Sequence, residues 1–224
     1  PMKKFLFTLF AAVTLLCTQA MADEHWPKTY FIEVGWGLAY STGDLNSTTL
    51  HTKDTLDKKL DIYMPDLGLL TAPDFTVGVN IWAFTLAVNF NYWKGNTELS
   101  KFENDDEVST RMWRLGLEFT YNLLYPDNFQ IGLGGGYSYT NVKTKDSALD
   151  AHGDSMSSEI MGSGLALVAN VRYYFTKNLV LAPTIKIFGN WFKDVYTTRS
   201  EIQDVTPYMW QTFFFASISF QYQF

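Results

Sequence analysis

From Phe214 to the last residue the side chains obey a period of two. Phe214, Ala216, Ile218, Phe220, Tyr222 and Phe224 alternate with Phe215, Ser217, Ser219, Gln221 and Gln223. Such a period specifies a strand with two unlike faces, one bulky and apolar, the other turning small or polar. No other feature constrains the chain as much, because the same alternation recurs along most of its length.

The first strand is expected over Thr29 to Ser41, with Tyr30, Ile32, Val34, Trp36, Leu38 and Tyr40 on one face and Phe31, Glu33, Gly35, Gly37, Ala39 and Ser41 on the other. The second, about Leu67 to Asn80, sets Phe75, Val77 and Val79 against Asp74, Thr76 and Gly78. Leu86 to Tyr92 and Trp113 to Tyr121 continue the pattern, the latter against Arg114, Gly116 and Glu118. So do Phe129 to Thr140, Leu165 to Phe175 (against Asn170 and Arg172) and Leu179 to Ile187 (against Thr184 and Lys186). Pro183 cannot donate to a ladder, so a bulge or local break is expected there. Between these segments long polar stretches (Thr42 to about Pro65, Gly95 to Val108, Lys143 to Ser158, Lys193 to about Thr206) alternate with short turns at Ile81-Trp82-Ala83, Tyr125-Pro126-Asp127-Asn128 and Thr176-Lys177-Asn178. Eight antiparallel strands with alternating long and short connections describe an all-β, up-and-down transmembrane barrel.

Volume decides which face is inside. An eight-stranded barrel has an interior just wide enough to be filled by side chains, and rows of Trp, Tyr, Phe, Leu and Ile from every strand do not fit there. The face of Gly, Ser, Thr, Ala and Asn does. The bulky face therefore looks outward, against lipid, and not inward as in a lipocalin-like soluble barrel. Aromatic residues bracket aliphatic strand centres, as at Tyr30 and Tyr40 or Trp113 and Tyr121, which suits the two borders of a membrane.

Lys3 and Lys4, the apolar run Phe5 to Leu16 and the small residues Ala20 and Ala22 read as an export signal removed after Ala22, leaving residues 23–224 as one barrel domain. The only cysteine, Cys17, lies in that segment behind Leu16 and not behind the small residue of a lipidation site, so neither disulfides nor thiolate–metal sites are expected. Lys and Arg number 17 and Asp and Glu 23; without Lys3 and Lys4 the net charge is −8, which argues against nucleic acid as a partner.

Inward charges are expected at Glu33, Asp74, Arg114, Glu118, Arg172 and Lys186, three of each sign. Unpaired buried charge costs several kcal/mol or more, so these should pair. Strand heights suggest a lower Glu33–Arg172–Glu118 cluster and an upper Arg114–Asp74–Lys186 cluster, together a polar plug. Three histidines, His25, His51 and His152, fall outside the expected strands. His152-Gly153-Asp154-Ser155 holds the residue types of a hydrolytic set, but on a loop that lends it no fixed geometry. The acidic run Glu103 to Glu107 lacks the glycine and spacing of a calcium loop and reads as a solvated segment facing lipopolysaccharide. No cofactor or metal is expected.

Val34-Gly35-Trp36-Gly37, Ile131-Gly132-Leu133-Gly134-Gly135-Gly136-Tyr137 and the terminal Phe220-Gln221-Tyr222-Gln223-Phe224 resemble the small eight-stranded outer-membrane barrels of the OmpA, OmpX and OmpW types. The resemblance implies a bacterial outer-membrane location, lipid and lipopolysaccharide as surroundings, and Phe220, Tyr222 and Phe224 as the signal read by the barrel-assembly machinery. The expected role is non-enzymatic: surface contacts, including host or surface ligands, through four extracellular loops. The alternative is a narrow passage for small apolar solutes of the OmpW type, which a lumen apolar in its outer half would favour; Phe31, Val168 and Phe188 hint at one. A lipid A-modifying enzyme is the third reading.

Overall fold

The computed structural model describes residues 28–46, 49–53, 59–99, 107–124, 129–150, 152–197 and 200–224. The expected export signal, with Ala20, Ala22 and His25, lies outside them.

Eight long strands form the wall: β1 (Thr29–Gly43), β4 (Leu69–Ile81), β5 (Phe84–Thr97), β6 (Val108–Leu124), β7 (Phe129–Asp150), β8 (Ser155–Tyr174), β9 (Leu179–Thr197) and β10 (Ser200–Gln223). Two short strands, β2 (Thr49–Lys53) and β3 (Lys59–Tyr63), form a hairpin between β1 and β4. Each wall strand pairs antiparallel with its neighbour in sequence order, and β1 closes on β10 from Phe31↔Gln223 to Gly43↔Gln211. Tyr30 and Phe224 seal that closure by exchanging backbone hydrogen bonds of 3.1 and 3.0 Å. Closure leaves the wall without a free edge, the condition for strands to cross hydrocarbon. No helix among the described residues is long and apolar enough to do so.

The two faces are those that the alternation specifies. Trp36, Leu167, Ile185, Ile218 and their row-mates are exposed, whereas Glu33, Asp74, Arg114, Arg172 and Lys186 are buried inside. Glycine makes the narrow lumen possible: a Cβ on Gly134 or Gly136 would collide with the carbonyl of Phe119 or Leu117 on β6. The β4–β5 turn holds only Trp82 and Ala83, and Trp82 takes a φ of 53°, the left-handed conformation that tight hairpins require.

Two expectations about connections are corrected. Residues 143–150 and 155–158, expected as loop, extend β7 and β8 beyond the apolar part of the wall, and β9 and β10 do the same over 193–197 and 200–206. Polar alternation satisfies the backbone of a strand in water as well as apolar alternation does, so polarity alone could not mark where pairing ends. At Pro183 the expected interruption is present as a local break and not as a bulge. Its β10 register is unbroken, while on the β8 side pairing lapses opposite Val171 and Arg172 and resumes at Tyr173↔Leu181 in the same register.

Candidate functional site

The lumen is divided into two unlike halves by a band of charge. Arg114 and Glu118 share the inward face of β6 with Gly116 between them, and because Gly116 has no side chain the guanidinium lies along the strand over it. Arg114 Nη2 thereby reaches Glu118 Oε1 at 3.3 Å. Lys186 Nζ, from β9 across the lumen, stands 3.1 Å from the same Glu118 oxygen and 3.9 Å from Asp74 Oδ1. Arg114 Nη1 donates to Asn89 Oδ1 at 2.6 Å and Asn91 Oδ1 at 3.2 Å. Asn91 Nδ2 and Asn89 Nδ2 donate in turn to Asp74 Oδ1, and Ser217 Oγ donates to Asp74 Oδ2 at 2.7 Å. Two cations and two anions are thus fixed by amides and a hydroxyl, all buried. This web is the floor.

Glu118 therefore belongs with the upper group and not with Glu33 and Arg172 as expected. Strand height locates Cα atoms, but an arginine or lysine carries its charge several ångströms from there, and the gap at Gly116 directs Arg114 onto Glu118. Among the described residues no ion pair joins Glu33 to Arg172. Arg172 Nη1 instead donates to Thr85 Oγ1 and Asn122 Oδ1, both at 3.1 Å, with its guanidinium 5.6 Å from the centre of the Phe31 ring. Glu33 faces a cavity of about 20 Å³ beneath the floor, lined also by Thr76, Thr120, Asn170 and Arg172, with room for a water or two. The periplasmic half is mostly polar, with Phe31, Ala87, Val180 and Ala182 buried among its polar side chains.

Above the floor the inner face changes character. Arg114 stacks on Phe188 at 4.4 Å from the ring centre, and Phe188 in turn stacks on Phe213 at 5.0 Å. From there outward the lumen, the outer chamber, is filled by a packed apolar cluster to which Trp93, Met112, Val142, Ile160, Phe192 and Phe215 contribute from successive staves. Of the residues that hinted at it, Phe188 belongs to this cluster, Val168 touches both the cluster and the cavity below the floor, and Phe31 lines that cavity. The sequence reading missed the rest. A signal was present in the inward positions read upward: Asn89-Asn91-Trp93 on β5 and Ser217-Phe215-Phe213 on β10 both pass from polar to large and apolar.

Two features bound the chamber. Its roof is the first long connection. Leu45, Leu60, Ile62, Met64 and Leu67 are buried in the same apolar cluster. The β2–β3 hairpin that carries two of them pairs with β7 (Leu60↔Asp150 to Ile62↔Ala148), four staves from β1, so the connection spans the mouth to the opposite wall. The second feature is a gap in the wall. β4 and β5 pair from Ile81↔Phe84 to Asp74↔Asn91 and no higher. Yet β4 stays paired to β1 up to Tyr40↔Leu69, and β5 to β6 up to Thr97↔Val108. Pro73, which lacks an N–H, stands just above the last pair. The strands rejoin only at the Pro65–Leu99 bridge, where Asp66 N donates to Glu98 O at 2.9 Å. Between lies an unpaired seam, the window, bordered by Leu69–Pro73 and Tyr92–Thr97, about 17 Å tall at ~3.4 Å per residue and closed from within by the buried side chains of Ala72 and Trp93. The exposed Tyr92 stands at its lower end, and Tyr40, paired with Leu69, beside its upper part.

The other candidates are placed as follows. Phe220, Tyr222 and Phe224 point outward and exposed at the periplasmic rim. His51 Nδ1 lies 2.7 Å from Asp61 Oδ1 across the β2–β3 hairpin. At the β7–β8 tip, Ser155 Oγ donates to Asp146 Oδ1 at 3.0 Å, and the His152 backbone N–H donates to Asp150 Oδ1. That commits the Ser155 hydroxyl away from the hydrolytic set the tetrapeptide suggested. The run Glu103 to Glu107 lies, except for Glu107, outside the described residues.

Comparison with known proteins agrees with the architecture. A family model described as outer membrane protein beta-barrel domain matches residues 8–212. No curated protein sequence matches. Among solved structures, OprG from Pseudomonas aeruginosa is similar with a TM-score of 0.59 and 14% identity, over 89% of this chain and 97% of OprG. Neisserial surface protein A is similar with a TM-score of 0.54 and 13% identity, over 87% of this chain and 97% of that one. Ail, the attachment invasion locus protein of Yersinia pestis, gives 0.51 and 12%, over 89% and 100%. At such identities the likeness is one of fold. A closed eight-strand wall with its apolar face outward, matched over most of its length by that family model, makes the chain a member of the outer-membrane β-barrel family and a protein of the bacterial outer membrane.

Proposed function

We propose that this barrel takes small apolar molecules from outside the cell into the outer membrane itself, through the chamber and out of the window between β4 and β5. The observation that carries this reading is the division of the lumen: an apolar outer chamber resting on a closed, charged floor. Surface contacts, which the loops put first, do not call for such a chamber. A water-filled pore does not fit either, because the floor fills the lumen where an aqueous path would have to run.

Transfer follows from solvation. An apolar solute gains about 25 cal/mol for each Å² it removes from water, first in the chamber and then in lipid. The floor turns it back from the periplasm, since passing there would separate paired charges. Backbone left unpaired within a barrel wall is costly in hydrocarbon, and the β4–β5 seam is the longest such interruption in the described wall. The roof must lift for entry, and only three residue pairs bind it to β7.

The test is to lock the roof. Ile62 and Ala148 face each other in the β3–β7 ladder, and the one native cysteine lies in the expected export signal. With Ile62→Cys and Ala148→Cys in proteoliposomes, uptake of a small apolar fluorophore should fall at least about tenfold on oxidation and recover on reduction. Equal uptake in both redox states contradicts the reading.

A further inference from the structure

Most buried polar groups above the floor are paired: Asn190 Nδ2 donates to Thr140 Oγ1 at 3.0 Å, Asn190 Oδ1 accepts from Ser138 Oγ at 3.2 Å, and the Thr97 and Thr110 hydroxyls meet at 2.6 Å. Two on the staves that flank β4 are not. Trp93 is 1% exposed, and its indole Nε1–H has no oxygen or nitrogen partner among the described residues. Ser41, fully buried, has an equally unpartnered Oγ. Both face inward on β1 and β5, the two staves that flank β4, so both border the stave that opens at the window. A buried donor without an acceptor is unusual, because native proteins pair nearly all of theirs. Phenylalanine would fill the same wall position without that cost.

We propose that the chamber is built for neutral apolar molecules carrying a hydrogen-bond-accepting oxygen, such as medium-chain ketones, aldehydes or esters, which accept from Trp93 Nε1–H while the apolar remainder takes the place of the roof's side chains. This rests on the uptake reading above and narrows it to a substrate class. Neutrality follows from the floor: Arg114 is engaged by Glu118, Asn89 and Asn91, and Lys186 by Glu118 and Asp74. A carboxylate in the chamber would find no free cation among these two and would remain an unpaired buried charge. A plain hydrocarbon would leave the indole N–H unsatisfied. An acceptor satisfies it, and the difference between a met and an unmet buried donor corresponds to about tenfold or more in affinity.

The experiment uses the full chain in lipid nanodiscs, titrated with 2-nonanone and with nonane at equal mole fraction in the membrane. It reads the indole ¹H–¹⁵N resonance of Trp93, assigned by its loss in Trp93→Phe. The ketone is expected to bind about tenfold more tightly than the alkane and to move that resonance downfield, and Trp93→Phe is expected to bring the ratio close to one. Should the variant fail to fold, the wild-type resonance and the wild-type ratio decide. Equal affinities, or ketone binding that leaves the indole resonance in place, overturn this proposal and leave the uptake reading standing. Binding of neither ligand overturns both.

Discussion

Gly116 shows how much a single residue decides in this lumen. Its missing side chain is the space that Arg114 occupies to reach Glu118, so the Arg-x-Gly-x-Glu spacing on β6 already contains half of the floor. Replacing Arg114 with Met leaves Glu118, Asn89 and Asn91 short of a donor. We expect a loss of about 3–5 kcal/mol, the usual cost of stripping one partner from a buried pair, read from urea unfolding in lipid vesicles. Combining Glu118→Gln with Lys186→Met should destabilise by less than the sum of the two single changes, because each leaves the other's charge unpaired. Strict additivity in that cycle would show that the two residues do not interact.

At the scale of elements, proline and register account for what alternation could not. The period of two made the staves, their facing and their order legible, because lipid outside and a cramped lumen inside leave each side chain one side to occupy. It said nothing of where neighbouring strands part. Pro73, Pro183 and Pro207 each lie at or beside an interruption of pairing, but only the chain opposite determines whether the gap closes again, as it does beside Pro183. The roof was illegible for a similar reason: Leu60, Ile62 and Met64 sit in a polar stretch, and their burial depends on β7, distant in sequence. Changing Pro73 to Val returns an N–H to the ladder. Uptake of an apolar fluorophore should then slow several-fold, and the amides of Tyr92 and Lys94 should gain protection from hydrogen exchange as the window narrows. Removing Phe224 deletes the two hydrogen bonds that join it to Tyr30. The fraction of heat-modifiable, folded barrel recovered from cells should fall, most visibly at elevated temperature.

The whole molecule is a barrel whose wall serves lipid and whose interior is split in height. Below the floor most inward side chains are polar; above it they are mostly aromatic and aliphatic. The floor's position was only partly readable from sequence, since six inward charges could be counted but their long side chains hid which of them meet. On the uptake reading proposed above, a barrel organised this way admits apolar molecules and refuses ions. The most direct measurement is the ionic current through the full chain in a planar bilayer, with the Ile62–Ala148 disulfide oxidised and then reduced. No steady conductance is expected in either state, because lifting the roof leaves Arg114, Glu118, Lys186 and Asp74 in place; an ohmic current that appears on reduction would contradict a closed floor.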